Sequence, residues 1–248
     1  MNPEFAAVIL AAGEGTRIKA RRKNKVVYLL AGKPMIWYSV QTIRKTGIKK
    51  IIAVVKFWAA SVKKALGKSV EYATQGEKKG TAAALEVGIK ALRSPIKYVL
   101  VMYGDDSAFY TPELLKFIIN QHQKHRAEVT VLSIKVTDPT GLGRVVRGSD
   151  GQITKIIEEK VATEEEKKIK EINTGCYCFN LGFLRQYLPK IEINSISFEY
   201  YLTDIVDVAL RNGRKVYVCL YPDSTIWHGI NDRSQWAKAR LLKIKQGK

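Results

Sequence analysis

The chain has 248 residues, of which 46% are hydrophobic and 26% charged, and this is enough for a folded core of ordinary size. Its net charge of +19 attracts anions, but the basic residues are scattered and accompany no nucleic-acid-binding motif, which argues against a specific nucleic-acid partner. No apolar run is long enough to span a bilayer, which predicts no membrane partner. Three cysteines cannot all pair, which favours reduced thiols in a cytoplasmic protein.

Strand-like and helix-like segments alternate through the first half of the chain. Apolar, β-branched runs predict strands at residues 5–10, 51–55, 70–73, 98–103 and 129–134. Amphipathic or alanine-rich stretches predict helices at residues 34–45, 57–66, 81–92 and about 112–125. Thr111 before Pro112 is a typical start for the last of these helices. This alternation predicts a doubly wound, mostly parallel, Rossmann-like α/β sheet.

The second half of the chain has a different pattern. Two short strands, 144–147 and 152–157, flank a Gly-Ser-Asp-Gly turn and predict a β-hairpin. A charged helix is predicted at 164–171, with Glu164–Lys168 and Glu166–Lys170 pairs. Further predicted elements are a strand at 174–179, a helix at 201–211, a strand at 216–220 and a basic helix from 231 to the end.

The stretch Leu10–Arg17 predicts a nucleotide-phosphate site at the end of the first strand. Its glycines and alanines leave consecutive backbone N–H groups accessible to an anion, and Thr16 and Arg17 add side-chain donors. The dinucleotide fingerprint is excluded because Ile18 stands where its third glycine is required. A Walker loop is excluded at Gly67–Ser69, which we interpret as the end of a helix. The alternative for Leu10–Arg17 is a tight turn without a ligand.

Polar residues follow two other segments at the expected ligand-binding edge of the sheet. Asp105 and Asn231 offer oxygen atoms of the kind that Mg²⁺ prefers, although each is also a common turn or cap residue. Lys25 is a point charge suited to phosphate, but composition alone does not distinguish it from its basic neighbours.

Further candidates lie in loops and in the hairpin region. Gln75 and Gly80-Thr81 bracket a loop suited to reading a base edge or to supporting phosphate at the start of a helix. Glu158 and Asn173 are suited to binding sugar hydroxyls, and stabilisation of the hairpin would explain them equally well.

Taken in order, these segments resemble those of the sugar-nucleotide pyrophosphorylases, a nucleotidyltransferase family. The motifs of the first half are Leu10–Arg17, Lys25, Gly32–Met35, Gly80–Ala82 and Tyr103–Asp105. Those of the second half are Pro139–Arg144, Ile157–Lys160, Glu171–Gly175, Glu199–Asp204 and His228–Asn231. The second set is most similar to the uridylyltransferase domain of bacterial N-acetylglucosamine-1-phosphate uridyltransferases, and the resemblance covers about residues 5–240.

The resemblance implies a single domain that converts UTP and a sugar-1-phosphate into a UDP-sugar and pyrophosphate. The UDP-sugar that it favours is UDP-N-acetylglucosamine. The resemblance divides the chain into a nucleotide-binding half (1–135), a sugar-binding half (136–230) and a C-terminal helix (231–248), without the β-helix acetyltransferase of larger members. It implies Mg²⁺-dependent in-line attack on the α-phosphate. The implied nucleotide-binding residues are Leu10, Ala11, Ala12, Gly13, Gln75, Gly80 and Thr81, with Arg17 and Lys25 as catalytic cations. The implied metal ligands are Asp105 and Asn231, and the implied sugar-binding residues are Tyr103, Gly104, Gly143, Glu158, Asn173, Tyr201 and Thr203.

Three departures from the family pattern leave alternatives open. Asn24 stands where a proline is usual, and without the stiffness of a proline we expect Lys25 to be held less well. Asp106 replaces an apolar residue, and Phe198 replaces a glycine. The alternatives are transferases of the UDP-glucose, dTDP-glucose or GDP-mannose type, a non-catalytic nucleotide-sugar sensor, and a basic nucleic-acid-binding protein. Retention of the cations and metal ligands argues against the sensor. The oligomeric state is open, and a homo-oligomer is one alternative.

Overall fold

Strands and helices alternate along the part of the chain that the computed structural model describes, residues 4–16, 18, 22–93 and 95–246. The strands are β1 (Phe5–Ala11), β2 (Leu29–Leu30), β3 (Lys33–Pro34), β4 (Lys50–Val55), β5 (Glu71–Thr74), β6 (Tyr98–Tyr103), β7 (Val129–Lys135), β8 (Arg144–Arg147), β9 (Ile153–Ile157), β10 (Glu171–Asn180) and β11 (Val216–Leu220). The helices are α1 (Met35–Lys45), α2 (Ala59–Leu66), α3 (Thr81–Lys90), α4 (Pro112–His125), α5 (Glu164–Lys167), α6 (Leu181–Tyr187), α7 (Ile205–Arg211) and α8 (Arg233–Gln246).

The main sheet has the strand order β11-β7-β10-β6-β1-β4-β5. β1 is parallel to β4 and β6, β4 is parallel to β5, and β7 is parallel to β11. β10 is antiparallel to both of its neighbours, β6 and β7, and the hairpin β8–β9 joins the sheet through β10. The prediction of a mostly parallel α/β sheet is therefore confirmed.

Helices cover both faces of the sheet, which explains why its central strands are apolar throughout. Every residue of β1 is buried. Ala7 and Ile9 belong to the core that includes residues of α1 and α4, whereas Ala6 and Val8 belong to the core that includes residues of α3, α6 and α7. Successive side chains of a strand point to opposite faces, so a strand between two helical layers must be apolar at every position.

The start of α4 and the end of α2 are formed by the residues that the sequence indicates. Thr111 caps α4 by accepting a hydrogen bond from the backbone N–H of Leu114, and Pro112 occupies the first turn. α2 ends at Leu66, and Gly67–Ser69 continue as a short 3₁₀ turn. The interpretation of Gly67–Ser69 as a helix end is confirmed.

The charged segment 164–171 is a correction to the sequence prediction. α5 ends at Lys167, before the predicted end of the helix at Glu171. Glu171 is instead the first residue of β10, which begins three residues before the predicted start at Thr174. The carboxylate of Glu171 is buried, accepts hydrogen bonds from Arg147 and Ser133, and its pKa is lowered by these donors despite the opposing effect of burial. The predicted i,i+4 pairs are wrong as well. The ion pairs observed here are Lys167–Glu164, Lys168–Glu165 and Lys155–Glu166.

The starts of the last two helices also differ from the prediction. The segment predicted as a helix from Tyr201 opens with a 3₁₀ turn, Leu202–Asp204, and α7 begins at Ile205. The last helix begins at Arg233, which leaves Asn231 in the preceding loop. None of the described helices is both long and apolar enough to cross a membrane.

The cysteines are buried and form no disulfide with one another. Cys176 and Cys178 lie two residues apart on β10 and contribute to the same core, as their spacing predicts. Burial raises the pKa of the Cys219 thiol to about 12, so this thiol is protonated at neutral pH.

Candidate active site

A cleft of about 480 Å³ opens at the carboxyl edge of the parallel strands β1, β4, β5 and β6. The register of the sheet ends these strands side by side, because Ala11 pairs with Val55, Val55 with Thr74, and Leu10 with Tyr103. The loops that follow the strands therefore meet at one place. Of the predicted residues, the cleft is lined by Leu10, Ala11, Ala12, Gly13, Lys25, Gln75, Gly80, Thr81, Tyr103, Asp105 and Asn231. Arg17 lies outside the described residues.

The loop 75–80 is held in shape by Gln75. Its backbone N–H donates to Val55, and its side-chain Nε2 donates to the carbonyls of Lys78 at 2.9 Å and Gly80 at 3.1 Å. Both hydrogens of this amide are therefore engaged within the loop, and Oε1 is the atom that it offers to a ligand.

Gly80 is required by its conformation and by a close neighbour. Its φ is +103°, and a Cβ atom at this position would lie 2.3 Å from the carbonyl oxygen of Tyr200. The same carbonyl accepts a hydrogen bond from Ala82 N–H, and Thr81 Oγ1 accepts one from Leu202 N–H. The start of α3 is thus attached to the segment that precedes α7, which joins the two halves of the chain beside the cleft.

Lys25, Asp105 and Asn231 meet in the cleft although they are far apart in sequence. The Lys25 ammonium forms an ion pair with Asp105 Oδ2 and donates to Asn231 Oδ1 at 3.4 Å. The Lys25 and Asp105 side chains are only 13% and 21% exposed. Since a carboxylate oxygen and an amide oxygen both face one cation, the pair fits the donor set that Mg²⁺ takes together with phosphate oxygens and water. Among the described residues there is no cluster of three or more His, Cys, Asp or Glu side chains that could hold a metal.

The end of β6 packs closely against the loop that carries Lys25. Gly104 N–H donates to the carbonyl of Leu10 at 3.0 Å, and a Cβ atom at Gly104 would lie 3.1 Å from Val26 Cγ1. This close approach places Asp105 within reach of Lys25.

The predicted sugar-binding residues form a chain of contacts that starts at Tyr103 in the cleft. The Tyr103 ring lies 6.4 Å from that of Tyr177, whose hydroxyl accepts a hydrogen bond from Asn173 Nδ2 at 2.5 Å. Asn173 N–H in turn donates to the carbonyl of Gly143 at 2.9 Å. A side chain at Gly175, where φ is +73°, would clash with the Tyr103 ring.

Glu158 continues this chain of contacts on the far side of Gly143. A Cβ atom at Gly143 would lie 3.6 Å from Glu158 Oε1, and the same oxygen accepts a hydrogen bond from Thr203 Oγ1 at 3.2 Å. Burial raises the pKa of Glu158, and the Thr203 hydroxyl opposes that shift. Tyr201 lies two residues before Thr203 and is half-buried. The sugar candidates are therefore brought together next to the cleft, and of them only Tyr103 is part of its wall.

Comparison with known families shows the family of this chain. Residues 6–237 match the nucleotidyl transferase family, which covers the sheet, the cleft and the chain of contacts from Tyr103 to Thr203. The chain belongs to this family. The family predicted from the sequence motifs is thus confirmed.

The relatives of this nucleotidyl transferase include bifunctional GlmU proteins. The protein of Geobacillus thermodenitrificans is 43% identical over 238 residues, which are 95% of this chain and 51% of that protein. The protein of Acetivibrio thermocellus is 40% identical over 240 residues, 96% of this chain and 52% of that protein. The chain therefore spans about half the length of the curated relatives it matches.

A solved structure has the same fold. It is described as a putative glucose-1-phosphate thymidylyltransferase from Bacillus anthracis, and it superposes with a TM-score of 0.81 at 21% identity, over 96% of this chain and 95% of that one. At this identity the likeness concerns the fold, and it confirms the predicted architecture.

The residues that line the cleft and were not predicted as site residues include Lys56, Phe57, Lys79 and Glu199. Lys56 and Phe57 directly follow β4, and the end of a parallel strand is a signal that would have found them. Glu199 belongs to a segment that hydrogen bonds of Tyr200 and Leu202 to residues 79–82 hold beside the cleft, and no local pattern in the sequence indicates these distant contacts.

Phe198, one of the departures from the family pattern, adopts a backbone conformation that glycine accepts more readily. Its φ is +56°, in the left-handed region, and its side chain is 68% exposed. A backbone conformation that glycine adopts readily is therefore present here with a large apolar side chain at the surface.

Asp204, which follows Thr203, is expected to make stability depend on pH. Burial raises its pKa from 3.8 to about 6, and the charge of Asp207 adds to the shift. Because the folded state holds this proton more tightly than the unfolded chain does, the carboxyl destabilises the fold as pH rises from about 4 to about 6. We expect Asp204→Asn to raise the free energy of unfolding by about 1–2 kcal/mol above pH 6, after allowance for solvent screening.

Urea unfolding of both proteins at several pH values between 3.5 and 8 tests this expectation. The difference between variant and wild type should increase as pH rises from about 4 to about 6 and then stay level. A difference that is constant over the whole range would contradict the assignment to Asp204.

Proposed function

We propose that the chain transfers a uridylyl group from UTP to N-acetylglucosamine-1-phosphate, forming UDP-N-acetylglucosamine and pyrophosphate. The observation that carries the proposal is the meeting of Lys25, Asp105 and Asn231 beside the glycine-rich loop 10–16. The choice of substrates is supported by about 40% identity to GlmU proteins over nearly the whole chain.

The nucleotide would bind at the carboxyl edge of β1 and β5. After Leu10 the segment Leu10–Gly13 carries only small side chains, which leaves backbone N–H groups beyond the end of β1 for phosphate oxygens, and Gln75 Oε1 is available to accept a hydrogen bond from the base. Gly80 and Thr81 begin α3, whose N-terminus favours an anion. Lys25, which also lines the cleft, would neutralise phosphate charge, with Arg17 as its proposed partner.

Asp105 and Asn231 would hold a magnesium ion. When bound there, the ion would supply positive charge shared by the α-phosphate and the attacking phosphate. The sugar would lie along the contacts that join Tyr103, Asn173 and Glu158, with Gly104, Gly143, Tyr201 and Thr203 completing its surroundings.

The proposed reaction requires positioning and charge neutralisation, and no general base. The attacking phosphate oxygen already carries charge at pH 7, because the second pKa of a phosphate monoester is about 6. Lys25 and the glycine-rich loop would hold the two anions in line, so that the oxygen attacks the α-phosphorus while pyrophosphate leaves on the opposite side. His122 takes no part in this scheme: burial lowers its pKa to about 4, and Nδ1 pairs with Thr130 in the core.

Release of pyrophosphate from the purified protein tests the proposal. UTP, dTTP, CTP and GTP are crossed with the 1-phosphates of N-acetylglucosamine, glucose and mannose in the presence of Mg²⁺. We expect the highest kcat/KM for UTP with N-acetylglucosamine-1-phosphate. A maximum at another pair would replace the proposed substrates and keep the reaction class. A folded protein that binds nucleotides and turns over no pair would favour the sensor alternative.

A further inference from the structure

Asn24, the residue immediately before Lys25, is a buried polar side chain at the wall of the cleft. It is 1% exposed. Its Nδ2 atom donates to the carbonyl oxygens of Ala11 at 3.1 Å, Gly13 at 3.1 Å and Phe57 at 2.9 Å. These carbonyls belong to the end of β1 and to the loops that follow β1 and β4, so a single amide joins both places to the residue beside Lys25.

The other polar atoms of Asn24 fix the start of the segment that carries Lys25. Oδ1 accepts a hydrogen bond from Val26 N–H at 3.1 Å and thereby caps the 3₁₀ turn Lys25–Val27. The backbone N–H donates to Ser61 Oγ on α2 at 2.9 Å. The φ of Asn24 is −66°, the value that a proline ring imposes. Hydrogen bonds therefore hold Asn24 at the backbone angle that a proline would impose, and the expectation that Lys25 is less well held than beside a proline stays a prediction.

We propose that Asn24 is a positioning residue for the transfer reaction. It sets the Lys25 ammonium at a fixed place relative to the phosphate-binding loop 10–16 by bonding to both segments at once. Buried polar networks of this kind are rigid when every member is satisfied and lose that rigidity when one donor is removed. The inference rests on the proposed function in one respect, namely that Lys25 acts on substrate phosphates.

The carboxylate variant Asn24→Asp separates the two roles of the side chain. It keeps an acceptor for Val26 N–H but removes the donors and places a negative charge against three carbonyl oxygens. Asn24→Ala, as the second variant, removes donors and acceptor without adding a charge. Asn180→Ala is a matched control: Asn180 caps α6 by accepting from Phe183 N–H, and it pairs with Tyr98 at the end of β6 remote from the cleft.

Two measurements are made on the full chain: steady-state kinetics with the best substrate pair, and amide hydrogen exchange of residues 10–16 and 24–28. We expect both Asn24 variants to lower kcat about 10- to 100-fold, because a small displacement of Lys25 disturbs the reacting geometry. KM for the sugar phosphate should change by less than about threefold, since none of the proposed sugar-binding residues is a hydrogen-bond partner of Asn24. Exchange should become faster in both segments, and the control should change neither kcat nor this exchange.

Asn24→Ala with wild-type kcat and wild-type exchange in both segments would overturn the inference. Faster exchange spread evenly over the sheet would also overturn it, because that result indicates a general loss of stability. If the wild-type protein turns over no substrate pair, the proposed function fails, while the exchange pattern still decides whether Asn24 joins the two loops.

Discussion

Asp105→Asn is expected to abolish Mg²⁺-dependent turnover while the fold remains intact. The Asp105 carboxylate and Asn231 Oδ1 both contact the Lys25 ammonium, and Asp105 is the charged member of this pair. An amide of the same shape removes the negative charge that attracts a divalent cation, and we expect kcat to fall at least about 100-fold, in the range seen when a transition-state electrostatic contact is lost. Initial rates over a wide range of Mg²⁺ concentrations, together with Mn²⁺ binding measured by electron paramagnetic resonance, test this expectation.

A matched control for this variant is Asp150→Asn. Asp150 is an exposed residue in the turn between β8 and β9, where its Oδ1 accepts a hydrogen bond from Gln152 N–H. The control removes one carboxylate from the surface and should keep wild-type rates and Mn²⁺ binding. If Asp105→Asn kept the wild-type rate at every Mg²⁺ concentration, the assignment of Asp105 as a metal ligand would be wrong.

The parallel core was predictable because burial on both faces leaves a strong pattern. β1, β4 and β6 are short apolar runs, and their strand ends fall at one edge of the sheet, where the cleft is found. The start of β10 was not predictable from local sequence. Glu171 is a charged residue whose place in the sheet depends on Arg147 from the hairpin and on Ser133 from β7. A charge that is satisfied by distant partners looks, in sequence, like the solvated face of a helix.

The candidate site shows the same division between local and distant signals. The glycine-rich loop and Asp105 follow apolar strands, so their position is visible in the sequence. Lys25 lies in a basic run, and composition gives no reason to choose it over Lys23. The fold separates the two: Lys25 reaches Asp105, whereas the Lys23 ammonium lies 4.5 Å from the centre of the Tyr28 ring. The role predicted for Arg17 stays a prediction, since that residue lies outside the described part of the chain.

The ion pair between Lys25 and Asp105 means that one residue has two separable effects. As a cation in the cleft, Lys25 would neutralise phosphate charge when substrates are bound. In this structure its ammonium contacts both proposed metal ligands, so it competes with a divalent cation for Asp105 and Asn231. Substrate phosphates would resolve this competition by giving the ammonium a different anionic partner.

Lys25→Ala is therefore expected to change catalysis and metal binding in opposite directions. We expect kcat to fall about 100- to 1,000-fold, with a smaller change in KM for the sugar phosphate, because charge neutralisation matters most in the transition state. In the absence of nucleotide, we expect Mn²⁺ to bind more tightly than to the wild type, because the Asp105 carboxylate no longer shares its charge with an ammonium. Lys23→Ala, which removes a neighbouring lysine held against Tyr28, should leave both measurements unchanged. If Lys25→Ala changed only the KM for the sugar phosphate, the proposed neutralisation of phosphate charge by Lys25 would be contradicted. Weaker Mn²⁺ binding would show that Lys25 supports the metal ligands instead of competing for them.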